Sequence, residues 1–186
     1  MAKKEFYNQN FSSISELEHG AFEACVFKHC SLAETNLEHI DFVECEFISC
    51  DLSGALITKS SFKNVVFNDC KLMGVHFDTV NPFLLELSFN NCQLQMSVFY
   101  GLKLKETDFI NCTLNQADFT EADLTKSVFA KSDLLDAVFD NTRLNEVDFR
   151  EANHFRINPL SNSMRGALFS KSNIEGLLHS FEITIE

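Results

Sequence analysis

The chain has 186 residues, enough for one domain with a substantial core, and a formal net charge of −12. That balance argues against direct nucleic-acid binding, because phosphates need Lys and Arg opposite them. Twenty Phe stand beside two Tyr, no Trp and two Pro, so one aromatic type carries the interior.

The start, MAKKEFYNQNF, lacks the apolar run of a signal peptide, and no stretch approaches the length of a membrane span. A cytoplasmic location is the expectation. Phe6 and Phe11 are five apart, but the next apolar position, Leu17, comes one residue late. The segment 1–15 therefore reads as a capping strand over the open end of a repeat core.

From Leu17 onward every fifth residue is Leu, Ile or Phe: Leu17, Phe22, Phe27, Leu32, then Leu37, Phe42, Phe47, Leu52, then Ile57, Phe62, Phe67, Leu72, and Phe77. Neither a helix, with period 3.6, nor a strand, with period 2, produces a period of five. The order Leu-Phe-Phe-Leu returns every 20 residues, so four fives make one turn of a four-sided coil. Like side chains then stack about 4.8 Å apart if the coils pair as strands do.

The register breaks over 78–88, where twelve residues separate two centres instead of ten. Asn81-Pro82 is the turn signal, followed by Phe83. Asn81, Pro82 and Phe83 form either a kink whose apolar residues plug a gap or a protruding contact loop.

From Phe89 to Phe149 the fives resume, with Phe and Leu alternating. Phe27, Phe47 and Phe67 in the first half, and Phe109, Phe119, Phe129, Phe139 and Phe149 in the second, are the expected core ladder. Phe moves from adjacent faces to opposite faces, which marks two half-solenoids, 16–77 and 89–151, sharing one core. The whole chain, 1–186, reads as a single domain.

Past Ala152 the fives stop. Ser172 to Glu175 fits a capping box, so a short helix is expected from about Asn173 to His179. Phe181, Ile183 and Ile185 then alternate with polar residues as in a strand. Leu177, Leu178, Phe181, Ile183 and Ile185 either cap their own solenoid in 152–186 or meet a second copy in a two-fold dimer.

All seven cysteines sit two residues before a Phe or Leu centre. An odd number without a secretion signal argues against a disulfide framework. They read as small buried thiols chosen for volume, the alternative being a metal site built from the column Cys30, Cys50 and Cys70. His19, His29 and His39 recur every ten residues as outward filler or as a metal- or pH-sensitive column. No phosphate loop, H-E-x-x-H, G-x-S-x-G or CxxC is present, so neither an enzyme nor a cofactor or metal is expected.

The acids offer a surface. By the 20-residue count Glu16, Glu18, Glu38 and Asp78 share one face, and Glu23, Asp41 and Glu44 the adjoining one. Second-half acids, Asp118, Asp123 and Asp133 among them, spread over all four faces. Such a rod could be steered into a basic groove of a partner, or its acids could serve solubility alone.

The register small–polar–(Leu/Phe)–polar–x, as in ADFTE, ADLTK and SDLLD, resembles the pentapeptide-repeat family over Leu17–Phe149. The resemblance implies an all-β fold, a right-handed quadrilateral β-helix with the centre and the residue two before it pointing inward. The stretches FYGLKLKETDFINCTLNQADFTEADL, NHFRINPLSNSMRGALFS and LLHSFEITIE are most similar to a group comprising the albicidin-resistance, microcin B17 immunity and quinolone-resistance members. That likeness implies a homodimeric DNA mimic that binds a type II topoisomerase, DNA gyrase, and modulates it or protects it from antibiotic or toxin. The alternative is an interaction scaffold for another protein.

Overall fold

The computed structural model describes residues 3–181 and residue 183, and its period of five is made at the corners. The residue two after nearly every centre adopts a left-handed conformation, from Ala24 at φ 51 to Lys126 at φ 65. Gly54, Gly74, Gly101 and Gly166 hold the same slot. None of the non-glycine residues so placed is β-branched, as the crowding of Cβ in this region demands. Thr79 is β-branched and falls two after Phe77; there the left-handed corner gives way to a short 3-10 turn, Phe77–Thr79.

Four corners close one coil, and successive coils pair in parallel. β1 (Lys4–Tyr7), β3 (Gly20–Glu23), β5 (Asp41–Val43) and β7 (Ser61–Lys63) form one sheet. β2 (Asn10–Ser12), β4 (Val26–Lys28), β6 (Glu46–Ile48), β8 (Val65–Asn68), β9 (Leu87–Asn90) and β10 (Phe109–Ile110) form the other. Phe22 pairs with Phe42 and that with Phe62, so the 20-residue step holds. Isolated bridges such as Ser31↔Asp51 and Asn36↔Leu56 build the two remaining faces. The chain is a right-handed quadrilateral β-helix. Its faces are numbered here in chain order: face 1 begins at Phe22, face 2 at Phe27, face 3 at Leu32 and face 4 at Leu37.

Every centre from Phe22 to Phe149 is buried, and so is the residue two before each, save the partly exposed Thr35. On face 2 nine phenyl rings stack without a break, Phe11, Phe27, Phe47, Phe67, Phe89, Phe109, Phe129, Phe149 and Phe169. A second column, Phe6–Phe22–Phe42–Phe62, ends on face 1. It is replaced on face 4 by Phe77–Phe99–Phe119–Phe139. Rings of neighbouring columns meet edge to face, Phe119 and Phe129 at 5.8 Å and 89°, the arrangement the ring quadrupole favours. One continuous cluster of buried side chains joins the two halves.

Three boundaries differ from the sequence reading. The N-terminal segment is not one capping strand but two strands in the ladder, with Phe6 stacked 4.5 Å from Phe22. Its pairing Lys4↔Gly20 spans 16 residues, so the first coil is four residues short. Gly20 allows this close approach, because a Cβ there would lie 2.5 Å from the Lys4 carbonyl oxygen. At the interruption, Ser61↔Asn81 keeps the 20-residue step whereas Val65↔Leu87 requires 22. The two extra residues therefore lie within 82–86.

At the other end the coil continues beyond Ala152, through Asp133↔Asn153, Arg143↔Ser163 and Asp148↔Leu168. His154 and Pro159 occupy centre positions there, and Phe155 and Ile157 are buried in their place. The expected helix is instead a pair of 3-10 turns, Ile174–Leu177 and His179–Phe181. No capping box forms: Ser172 bonds the Ser170 hydroxyl, while the Asn173 amide donates to the Phe149 and Ala152 carbonyls at 2.8 and 3.0 Å. Phe181 belongs to the second turn rather than to a strand, and Glu182, Thr184, Ile185 and Glu186 lie outside the described residues.

Candidate functional site

The inward slots carry little chemistry, for a reason the structure supplies. Cys30, Cys50, Cys70, Cys92 and Cys112 form one column, and each of the last four donates its thiol to a centre carbonyl of the preceding coil: Phe27, Phe47, Phe67 and Phe89, at 3.3–3.4 Å. Ser132 and Thr142 make the same bond to Phe109 and Phe119 at 2.8 and 2.9 Å. The slot takes a small donor here and Ala or Val elsewhere, as at Ala117 and Val147, so these side chains bond as well as fill the space. All seven thiols are free and buried. Burial pushes Cys45 up to about 11. The hydrogen bond Cys92 donates to Cys112, opposed by the one it accepts from Cys70 and reinforced by burial, takes Cys92 up to about 12. A metal ligand or nucleophile needs the thiolate, which the sites of Cys45 and Cys92 disfavour, whereas the hydrogen bond with Cys92 lowers the Cys112 pKa.

Outward side chains project from a rigid ladder, so partner chemistry belongs there. Glu16, Glu23 and Glu44 are exposed, and Glu38 and Asp118 are half-buried. Other candidate acids already have cations. Glu18 pairs with Lys4, and Asp41 with Lys3 at 2.6 Å. Asp133 accepts from His154 Nδ1 at 2.8 Å. Asp123 departs furthest from a free surface acid: it is 7% exposed, with Arg143 at 2.8 Å and Lys105 at 3.5 Å. Burial alone would raise its pKa, but bonds from Thr125 and Arg143 outweigh that and hold it below the usual carboxylate value.

The interruption is in part a kink plugged by an apolar residue and in part an exposed protrusion. Leu85 packs against the core, while Phe83 and Leu84 stand 65% and 63% exposed. Asn81 Oδ1 accepts the Phe83 N–H at 3.0 Å, and the Lys63 ammonium sits 5.5 Å from the Phe83 ring centre. Leu84 is held at φ 57, a conformation costly for Leu and tolerated where surrounding structure imposes it.

At the C-terminal end Leu177 packs against the core and Leu178 is half-buried. Phe181 and Ile183 are exposed at 47% and 57%. Beside them a cleft of about 550 Å³ is lined by His154, Arg156, Asn173, Leu178 and Ile183. Sequence inspection passed over Leu56, Tyr100, Val138 and Leu160, exposed apolar residues on face 4. They occupy outward positions that carry no signal in the five-residue period.

No curated protein matches the chain. Among solved structures, two trypsin-treated variants of QnrB1, a plasmid-mediated fluoroquinolone resistance protein, are similar along the full length of this chain. Each has a TM-score of 0.64, at 14% and 15% identity, with 99% and 100% of the QnrB1 chain covered. At that identity the likeness is one of fold. The sequence itself matches the description "Pentapeptide repeat region" over residues 20–82 and 80–149. With most of its length accounted for in this way, the chain belongs to the pentapeptide-repeat family.

Proposed function

We propose that the protein acts by binding rather than catalysis, as a DNA-mimicking rod that engages a type II topoisomerase, DNA gyrase first, and modulates it or shields it from an antibiotic or toxin. The observation that carries this reading is the parallel ladder of coils, which holds acidic side chains in fixed positions along a rod of net charge −12. Fixed charges of one sign steer a basic partner and hold register without ordering cost at the moment of binding. The resistance role of QnrB1 and the resemblance in the second half support the same partner. In this reading Phe83 and Leu84 add an apolar contact beside the acids. Leu177, Leu178, Phe181 and Ile183 join two copies end to end in the cytoplasm.

A supercoiling assay with purified gyrase tests it, with and without albicidin or a fluoroquinolone. Altered supercoiling, or activity restored in the presence of the drug, is the expected result; no effect at tens of micromolar protein removes the reading. A second reading, a scaffold for some other protein, draws on the cations that already occupy Glu18, Asp41 and Asp123 and reduce the free acidic surface. Pull-down from lysate separates the two, returning gyrase subunits in the first case and unrelated proteins in the second.

A further inference from the structure

Among the described residues, face 4 carries more of the exposed large hydrophobic side chains than any other side of the rod. Leu56, Tyr100, Val138 and Leu160 stand on it at 53%, 46%, 46% and 81% exposure, with Met96 at its edge at 55%. Most of the other exposed large hydrophobics among the described residues lie in the 82–86 loop and near the C-terminal end. The register aligns these residues. The bridges His76↔Val98, Val98↔Asp118 and Asp118↔Val138 run up the face, and Tyr100 lies two residues along from Val98. Leu160 follows Asp140 by one 20-residue step, between the pairings Asp133↔Asn153 and Arg143↔Ser163.

Charge on this face names its occupant. Glu38, Asp118, Glu121 and Asp140 have no ion pair among the described residues, while Asp78 on the same face lies 3.3 Å from His76; unpaired acids such as Glu23 and Asp51 also stand on other faces, but without the row of apolar neighbours that face 4 has. Lys59 is the single Lys or Arg placed here among the described residues. Glu121, through its hydrogen bond and charge, raises the Tyr100 pKa, which keeps the phenol a donor. A second copy presenting the same face would bring like charges together, and nucleic acid would do the same.

We infer that face 4 is the docking face, and that it takes a protein surface in which Lys or Arg side chains alternate with aliphatic ones. The inference rests on the reading of the rod as a protein-binding module and names the side that binds. Cations pair with the free carboxylates, while Leu56, Tyr100, Val138 and Leu160 are covered, so attachment has an apolar part that salt does not screen.

Two measurements decide it. The first titrates the full chain with a Lys/Leu peptide and with a Lys/Ser peptide of equal charge, read by amide NMR shifts. The Lys/Leu peptide is expected to bind at least tenfold more tightly, with shifts centred on Tyr100, Asp118 and Val138. Equal binding of the two peptides, or shifts centred on faces 2 and 3, overturns the inference. The second compares Tyr100→Ser/Val138→Ser and Asp118→Asn/Asp140→Asn with the control Asp51→Asn/Asp69→Asn in the supercoiling assay. Should wild type act on gyrase and both face 4 variants act equally well, the face assignment fails while the topoisomerase reading stands. Should wild type leave gyrase untouched while the peptide maps to face 4, the topoisomerase reading fails and the face assignment stands.

Discussion

The Cys45 thiol donates to the carbonyl of Phe22, 3.3 Å away and 23 residues earlier. The same vector joins Cys70 to Phe47 and Ser132 to Phe109. A slot that looks steric is also a hydrogen-bonding position. Cys70→Ser should therefore keep stability within about 1 kcal/mol of wild type, since a hydroxyl donates at least as well as a thiol. Cys70→Ala removes the donor and leaves the Phe47 carbonyl without it, at a cost of about 1–3 kcal/mol. Urea unfolding of the two variants, compared at equal m-value, checks the order.

Buried thiols of two neighbouring columns make the fold sensitive to alkali. Cys45 is raised to about 11 and Cys92 to about 12 from an ordinary thiol value of 9.0. A folded-state pKa above the unfolded one means the native state binds the proton more tightly. The associated stability is complete below about pH 9 and is lost as pH rises through the folded values. Midpoints of thermal unfolding should be flat with respect to these groups up to about pH 9 and fall between there and about pH 12. Replacing Cys45 and Cys92 by Ser should flatten that fall.

Phe119 and Phe83 differ in everything but chemistry. Phe119 is fully buried between Phe99 and Phe139, at 4.9 and 5.1 Å, whereas Phe83 is 65% exposed. Phe119→Ala should cost about 3–5 kcal/mol, because stacked coils cannot close over the cavity. Phe83→Ala should stay within about 0.5 kcal/mol. Calorimetry of both variants tests the contrast. Unchanged stability with a weaker effect on gyrase would mark Phe83 as a contact residue.

Much of the architecture was legible because one rule repeats. Centres five apart fixed the inward residues, and the 20-residue recurrence fixed which of them stack, as Phe27 on Phe47 shows. The rule failed where a local departure shifted the register. Four missing residues in the first coil bring Lys3 to Asp41, a pairing that no count of 20 reveals. His154 at a centre position hid the last coil and placed its ring on Asp133, 21 residues back. The functional surface was less legible still. Periodicity reports what points inward, and Tyr100 and Val138 point out.

The corners make their own prediction. Lys131 sits at φ 59, where a side chain is tolerated but Cβ is crowded. Lys131→Gly relieves that crowding and should be neutral or slightly stabilising, the gain being offset by greater freedom of the unfolded chain. Lys131→Ile adds a β-branch in the left-handed region and should cost about 1–2 kcal/mol. The substituted position is exposed, so loss of burial cannot produce the difference between the two variants. Thermal melts of the pair separate corner strain from surface charge.

Asp123 provides the acid-side counterpart. Its carboxylate is nearly covered and is held by the Arg143 guanidinium at 2.8 Å and the Thr125 hydroxyl at 2.6 Å. With a folded pKa below the ordinary 3.8, its contribution is present above that value and is lost as pH falls below it. Arg143→Ala removes a cation from an acid that remains covered and should cost about 1.5–3 kcal/mol at neutral pH, as for hydrogen bonds to charged groups. The penalty should shrink in acid, because a protonated Asp123 no longer needs the guanidinium. Urea titrations of wild type and Arg143→Ala at pH 7 and pH 3 measure it. A penalty of equal size at both values would mean that Arg143 contributes through packing of its stem rather than through its charge.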